Sequence, residues 1–211
     1  MIPDTGSPAI PVVHAVTNDE IMLRPGFLRK ARGVMTVLGE KGAIHVRSQL
    51  LDSPTLFGIT LDLLLLYAET KCWCIVNDRV DIALAAGAHG VQLTAKSLTL
   101  ADVQAIAPAL RIGASVHSAE EAAEAEKAGA DWCVAGHVFE TPSHPGEPRR
   151  ESRFIDELVA EVDIPVIAIG GVRPEHVRLL IHKGAHGVAA IRGIWEDENS
   201  ELAASRYLSQ I

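Results

Sequence analysis

The sequence predicts a (β/α)8 barrel, the TIM barrel, in which all 211 residues form a single domain. Short apolar runs recur along the chain, and each is followed by a polar turn and a helix-like segment. Hydrophobic residues make up 48% of the chain and aromatic residues only 4%, a composition typical of parallel strands that are covered on both faces. Eight such units favour the barrel over an open doubly wound sheet, which would suit fewer strands.

The candidate strands are apolar runs of four or five residues. In chain order they are 12–16, 43–47, 72–76, 90–93, 111–115, 132–136, 165–169 and 187–191. In a barrel their carboxyl ends meet at one mouth, where the chemistry of this fold takes place. We therefore look for functional residues at these ends.

The segments between the strands carry helix signals. AEEAAEAEKA at 119–128 is rich in strong helix formers. Ser118 followed by Glu121 matches a capping box, and Pro174 suits a first helical position. A weak repeat (AAGAHGVQL, KAGADWCVA, KGAHGVAAI) joins helix ends to strands through glycines that suit the left-handed closing residue: Gly87, Gly129 and Gly184.

Composition narrows the partners and the compartment. The net charge of -8 disfavours nucleic acid and anionic membranes as partners, but it leaves a small anionic ligand possible. Cys72, Cys74 and Cys133 lack the spacing of a zinc site or a disulfide framework, so we predict buried thiols. The first nine residues do not resemble a signal peptide, and no apolar run could span a bilayer. A cytoplasmic protein without membrane contact is expected.

Glycines at the last two strand ends predict a phosphate site. Gly170 and Gly171 precede a helix start, where backbone N–H groups can approach an anion without hindrance. Ile191, Arg192 and Gly193 follow strand 8, and the loops after strands 7 and 8 frequently bind phosphate in barrels. A small phosphorylated molecule is the expected ligand.

Other strand ends supply polar candidates for substrate binding. Arg47 shares a strand face with His45 and could clamp a carboxylate or phosphate, although a structural ion pair is an alternative. Asn77 and Asp78 follow strand 3 and could bind substrate or a metal. Strand 5 ends in GASVHS, which places Ser115 and His117 at the mouth.

Strand 6 ends on a histidine and opens into a long polar loop. Alternation places Cys133, Ala135 and His137 on one face and Trp132 and Val134 on the other. If the small residues face the crowded lumen, His137 points into the mouth, with residues 140–150 as a lid. A metal-hydrolase site is the weaker interpretation, because no His-x-His pair or carboxylate cluster accompanies the histidines. No bound metal is predicted.

The chain resembles the thiamine phosphate synthase superfamily over almost its whole length. The matching stretches are NDRVDIALAAGAHGVQL, IGASVHSAEEAAEAEKAGAD, GHVFETPSHPG and IPVIAIGGVRPEHV. The synthases of this superfamily join a pyrimidine pyrophosphate to a thiazole phosphate with magnesium. The resemblance also implies a barrel that self-associates as a homo-oligomer.

Departures from the synthase pattern favour the second branch, the thiazole tautomerases. Where synthases carry Arg-Glu-Lys after strand 2, this chain has Arg47-Ser48-Gln49. Where they carry an aspartate after strand 4 it has Lys96 and Ser97 without a carboxylate, and where they carry a lysine after strand 6 it has His144. VHAVT, IHVR and GHVFET resemble the tautomerases, which implies His137 as the catalytic residue of a cofactor-independent proton transfer that aromatises a carboxythiazole phosphate. A magnesium-dependent synthase and a non-catalytic phosphate-binding barrel are the alternatives.

Overall fold

The computed structural model describes residues 9–140 and 152–211. Its strands are β1 Val13–Val16, β2 Gly42–Val46, β3 Trp73–Asn77, β4 Gly90–Leu93, β5 Arg111–Val116, β6 Trp132–Ala135, β7 Val166–Ile169 and β8 Gly187–Ala190. Its α-helices are α1 Asp19–Leu23, α2 Phe27–Leu38, α3 Ser53–Thr70, α4 Val80–Ala86, α5 Leu100–Ile106, α6 Ala119–Lys127, α7 Arg153–Val159, α8 Pro174–His182, α9 Arg192–Trp195 and α10 Ser200–Leu208. A short 3-10 turn, Gly39–Lys41, precedes β2.

The strands form a closed parallel barrel. Each strand pairs with the next along the chain, and β8 returns to pair with β1 through Val13 and Val188. The predicted fold is therefore confirmed, and the open sheet is excluded. Every predicted strand lies within one residue of the observed one at both ends, because the apolar runs are bounded by turn residues.

Local capping chemistry fixes the helix ends. The Ser118 hydroxyl accepts a hydrogen bond from the backbone N–H of Glu121 at 3.1 Å, while the Glu121 carboxylate accepts from the N–H of His117 at 2.7 Å. Pro174 is the first residue of α8, as predicted. The repeat glycines all have the positive φ that suits glycine: Gly87, Gly129 and Gly184.

The predicted facing of strand 6 is wrong. Trp132 and Val134 point into the lumen, where they pack with apolar residues of β1, β2, β3, β7 and β8, while Cys133 and Ala135 pack in the core that includes the helices. The lumen admits the indole because neighbouring strands carry glycine. A Cβ at Gly113 would lie 2.2 Å from the Trp132 ring, and one at Gly90 would lie 2.9 Å from it. Size alone did not decide the facing, since glycines on the two preceding strands, β4 and β5, supplied the space.

The layer between the strands and the helices is apolar. Cys72, Cys74 and Cys133 are buried there as free thiols, as predicted, and burial raises the pKa of both Cys74 and Cys133 to about 12. In the ranges that the structure describes, no helix combines the length and the hydropathy that a membrane crossing requires.

Candidate active site at the barrel mouth

A chain of hydrogen bonds runs up the lumen to the mouth. His14 Nε2 lies 2.9 Å from the carbonyl oxygen of Pro11, and His14 Nδ1 lies 2.8 Å from His45 Nε2. His45 Nδ1 in turn lies 3.1 Å from Oδ1 of Asn77, the last residue of β3. Burial lowers the pKa of His14 to about 4 and holds that of His45 well below its usual range. Both histidines are therefore neutral near pH 7, which removes them as free cations for an anionic ligand.

Asp78 follows Asn77 and is held by the loop after β4. Its Oδ1 accepts hydrogen bonds from the N–H of Thr94 at 3.1 Å, from the Thr94 hydroxyl at 2.7 Å and from the Ser97 hydroxyl. Its own N–H donates to the carbonyl oxygen of Gln92 at 2.9 Å. This carboxylate thus orders the β3 and β4 ends relative to each other.

Gln92 orients the hydroxyl of Ser115. The Gln92 side chain accepts from Trp132 Nε1 at 2.9 Å and donates through Nε2 to Ser115 Oγ at 3.1 Å. Because Ser115 Oγ accepts this bond, its own proton remains available to a ligand in the mouth.

Two further predicted residues lie on the rim of this side. Arg47 follows β2 and is half-buried, and its guanidinium makes no hydrogen bond or ion pair with any other described residue. His117 is exposed after β5, and its Nδ1 lies 2.8 Å from the carbonyl oxygen of Gly136. Arg47 is thus free to meet an anion, whereas His117 is anchored to the end of β6.

The glycines after β7 are required by the segment that follows β6. A Cβ at Gly170, where φ is 95°, would lie 2.3 Å from the Cβ of His137, and one at Gly171 would lie 2.5 Å from the carbonyl oxygen of Glu140. Phe139 N donates to the Gly170 carbonyl at 2.9 Å. His137 is 6% exposed at this junction. The pair therefore admits a close backbone contact, a role that the sequence analysis did not predict.

The end of β8 rests on a buried phenol. Ile191 and Arg192 are half-buried and Gly193 is exposed at the start of α9. A Cβ at Gly193 would lie 2.1 Å from the Tyr207 hydroxyl, which donates to the carbonyl oxygen of Val172 at 2.9 Å. Burial, with Glu175 nearby, raises the pKa of Tyr207 to about 12. One side chain from α10 thus supports the loops after both β7 and β8.

The sequence analysis missed Gln92 and Tyr207. A lone glutamine in the apolar run GVQL was a usable signal for Gln92, since a buried amide needs partners. Tyr207 lay near the chain end, far from any strand end, and carried no such signal. Of the predicted lid at 140–150, residues 141–150 lie outside the described residues, and His144 is among them.

The profile of the thiamine monophosphate synthase family matches residues 15–194. The chain belongs to this family. A thiamine-phosphate synthase of Pyrococcus abyssi is 38% identical over 162 residues, which cover 74% of this chain and 76% of that protein. One from Chlorobium luteolum is 34% identical over 200 residues, covering 94% and 92%.

Solved structures agree with the family assignment. The thiamine phosphate pyrophosphorylase of Pyrococcus furiosus superposes with a TM-score of 0.84 at 33% identity, over 94% of each chain. A 3-hexulose-6-phosphate synthase superposes with a TM-score of 0.70 at 18% identity, covering 96% of this chain and all of that one, a likeness of fold alone.

The predicted choice of the tautomerase branch is wrong. The relatives at 34% to 38% identity are named thiamine-phosphate synthase, and they match across most of the chain. The prediction rested on three sites that depart from the synthase pattern, whereas the similarity to synthases extends over most of the chain. The proton-carrying role given to His137 belonged to the tautomerase reaction and is withdrawn with it.

Magnesium, which the family implies, fits the described residues poorly. Asp78 is one carboxylate whose Oδ1 already accepts three hydrogen bonds, and Ser97 donates one of them from the place where the synthase pattern has an aspartate. Nowhere in residues 9–140 and 152–211 do three His, Cys, Asp or Glu side chains converge as a metal site. Mg²⁺ prefers carboxylate and phosphate oxygens, and the protein side of that set is incomplete here.

Proposed function

We propose that this chain is a thiamine-phosphate synthase, a transferase that joins a pyrimidine pyrophosphate to a thiazole phosphate. One observation carries the proposal beyond the relatives' names: the mouth has two polar sides. In the closed barrel β3 lies opposite β7, so the side chains after β2 to β5 face the glycine loops after β7 and β8 across the lumen. Two sides of this kind suit two substrates that each carry a phosphate.

The proposed reaction needs positioning and charge neutralisation more than proton transfer. The thiazole nitrogen attacks the carbon that links the pyrimidine to its pyrophosphate. A C–N bond forms, the C–O bond breaks, and pyrophosphate leaves with the bonding electrons. No proton moves, so a general base is not required. Donors that stabilise the departing anion supply the electrostatic part of catalysis.

The side-chain half suits the pyrophosphate. Arg47 has no ionic partner among the described residues, and Lys96 is exposed on the loop after β4. The Ser115 hydroxyl keeps its proton for a ligand because its oxygen accepts from Gln92. These groups offer two positive charges and one donor to the leaving group.

The glycine half suits the thiazole phosphate. Gly170 and Gly171 bring the backbone to the mouth without side chains, and Arg192 with Gly193 begins α9 beside them. His137 lies against Gly170, between the two halves. Ile191 and His117 complete the binding residues in this proposal.

The test mixes both substrates with the protein and measures pyrophosphate release and thiamine phosphate formation, with and without magnesium. We expect turnover, and Arg47→Ala should reduce it by about 10²-fold, the effect of removing one strong anion-stabilising group. Arg178→Ala is the matched control, because Arg178 is exposed on α8 away from the mouth and should leave turnover unchanged. Equal loss in both variants, or no turnover in the wild type, would contradict the proposal.

A second candidate is a non-catalytic barrel that binds phosphorylated ligands. The observation that favours it is the engagement of Asp78 by Thr94 and Ser97, in place of a second carboxylate. Calorimetry with each substrate separates the two candidates, because tight binding without product formation supports only the second. Cytoplasmic location, self-association, the lack of a cofactor and the lack of nucleic-acid or membrane partners stay predictions.

A further inference from the structure

The hydrogen bonds from Pro11 through His14 and His45 to Asn77 begin at a group that can only accept. The carbonyl oxygen of Pro11 can only accept a hydrogen bond, so His14 Nε2, 2.9 Å away, must carry a proton. The next contact, 2.8 Å between His14 Nδ1 and His45 Nε2, has room for one proton between the two nitrogens. The third contact joins His45 Nδ1 to the Asn77 amide.

The charge of the two histidines then determines which atom donates in each of these hydrogen bonds. His14 is 0% exposed and His45 1% exposed, and no acidic side chain of a described residue contacts either ring. A neutral His14 that donates from Nε2 has a bare Nδ1, so His45 must donate to it from Nε2. His45 Nδ1 is then bare as well and needs a donor from Asn77.

We propose that His14 and His45 orient the Asn77 amide, with its nitrogen toward His45 and its carbonyl oxygen toward the mouth. The structure places Oδ1 nearest His45, but an amide turned by half a turn occupies the same positions, and the hydrogen-bond network decides between the two. Oxygen toward His45 would require one more proton in the network, held as an imidazolium on one of the two histidine rings.

This arrangement makes Asn77 a specificity-determining acceptor. Asn77 is 7% exposed, and its outer amide atom makes no hydrogen bond to another described residue. A carbonyl oxygen there favours a ligand N–H or O–H group and disfavours a phosphate oxygen. Within the proposed function, Asn77 therefore contacts the organic part of a substrate, and the anion is left to Arg47, Lys96 and Ser115.

Histidine tautomers are measured directly by long-range ¹H–¹⁵N correlation NMR on the ligand-free protein at pH 7. We expect His14 and His45 to be neutral and protonated at Nε2, with an N–N coupling across the bond from Asn77 Nδ2 to His45 Nδ1. An Nδ1 proton on His45, or an imidazolium at His14, would overturn the inference. This result does not depend on any activity, so it fails separately from the proposed function.

Two substitutions test the direction of the chain. Asn77→Asp can only accept, so it should place a proton on His45 Nδ1 and hold one imidazolium within the His14–His45 pair. His14→Gln is the matched control, because its amide can donate to Pro11 O and accept from His45, which preserves the Nε2 tautomer. A His45 tautomer that is the same in Asn77→Asp as in the wild type would also overturn the inference.

The KM of each substrate shows whether Asn77 contacts a substrate or only supports the fold. If the proposed transfer occurs, Asn77→Leu, which removes the acceptor at similar volume, should raise the KM of the substrate whose N–H or O–H group meets Asn77 by at least about 10-fold, as expected for a lost buried hydrogen bond. The KM of the other substrate should change by no more than about 2-fold, which corresponds to a small change in its binding free energy. Equal changes in both values would indicate a general disturbance and contradict the assignment.

Discussion

The two halves of the mouth are held in shape by different means. After β7, Gly170 and Gly171 let the chain approach the segment that follows β6, and after β8 Gly193 leaves space for the Tyr207 hydroxyl, so the shape of this half comes from steric contact. After β3 to β5, hydrogen-bonded side chains set the shape, with Asp78 and Gln92 at the centres of two networks.

The difference shows what each half can tolerate. A contact between backbones has no space for an added methyl group, but the backbone atoms that meet do not change charge with pH. A network of buried polar side chains adjusts to small changes in volume, but it depends on protonation and on every partner being present. Substitutions and pH should therefore act on different halves, which the following predictions test.

The largest effect is expected from Gly170→Ala in the glycine half. The added Cβ would lie 2.3 Å from the Cβ and 2.6 Å from the Cα of His137, at a φ of 95°. Strain and overpacking together should lower the free energy of unfolding by about 3 to 5 kcal/mol, measured by urea denaturation. Gly87→Ala is the control: its φ is 73° but nothing lies within 4 Å, so it should cost about 1 kcal/mol. Equal losses would mean that the contact with His137 does not shape this half.

A fall in pH should act on the side-chain half. Burial lowers the pKa of His14 to about 4, whereas the unfolded chain has a histidine pKa of about 6.5. Between these two pKa values the unfolded state binds a proton that the folded state does not. The contribution of neutral His14 to the free energy of unfolding is therefore complete above pH 6.5 and is lost as the pH falls toward 4. The loss from His14 should be about 3 kcal/mol, and His45 acts in the same direction.

The control for the pH effect is His14→Gln, which keeps the hydrogen bonds but cannot titrate. Urea denaturation of both proteins at pH 7.5, 5.5 and 4.5 should give the variant a shallower loss of stability. Parallel curves for the two proteins would show that His14 is not the group responsible.

The smallest effect is expected from Tyr207→Phe, which removes one hydrogen bond beneath the glycine half. Losing the donor to the Val172 carbonyl should cost about 1 to 2 kcal/mol of unfolding free energy. Affinity for the thiazole phosphate should fall, while that for the pyrimidine pyrophosphate stays unchanged, as measured by calorimetry. Tyr67→Phe is the control, because the Tyr67 ring contacts His89 at a tilt and its hydroxyl makes no hydrogen bond to a described residue. Weakened affinity for both substrates would contradict the division of the mouth.

Some features of the site were readable before the structure and some were not. The positions of Arg47, Asn77, Ser115 and His117 at the mouth were readable because strand ends follow from the apolar runs and a barrel brings those ends together, while their binding roles stay predictions. The support of the mouth by Tyr207 and the link from His14 to Asn77 were not, because each joins residues far apart in the chain.

The sequence by itself determined the number, direction and bounds of the strands, since these depend on local apolar runs and the turn residues between them. Only the tertiary structure decided which residues fill the lumen. Trp132 points inward because Gly90 and Gly113, on the two strands preceding β6, leave space for its ring and Gln92 accepts its N–H. A residue's facing in a closed barrel depends on the volume and polarity of neighbouring strands, and those neighbours are set by the register of the barrel rather than by the local pattern.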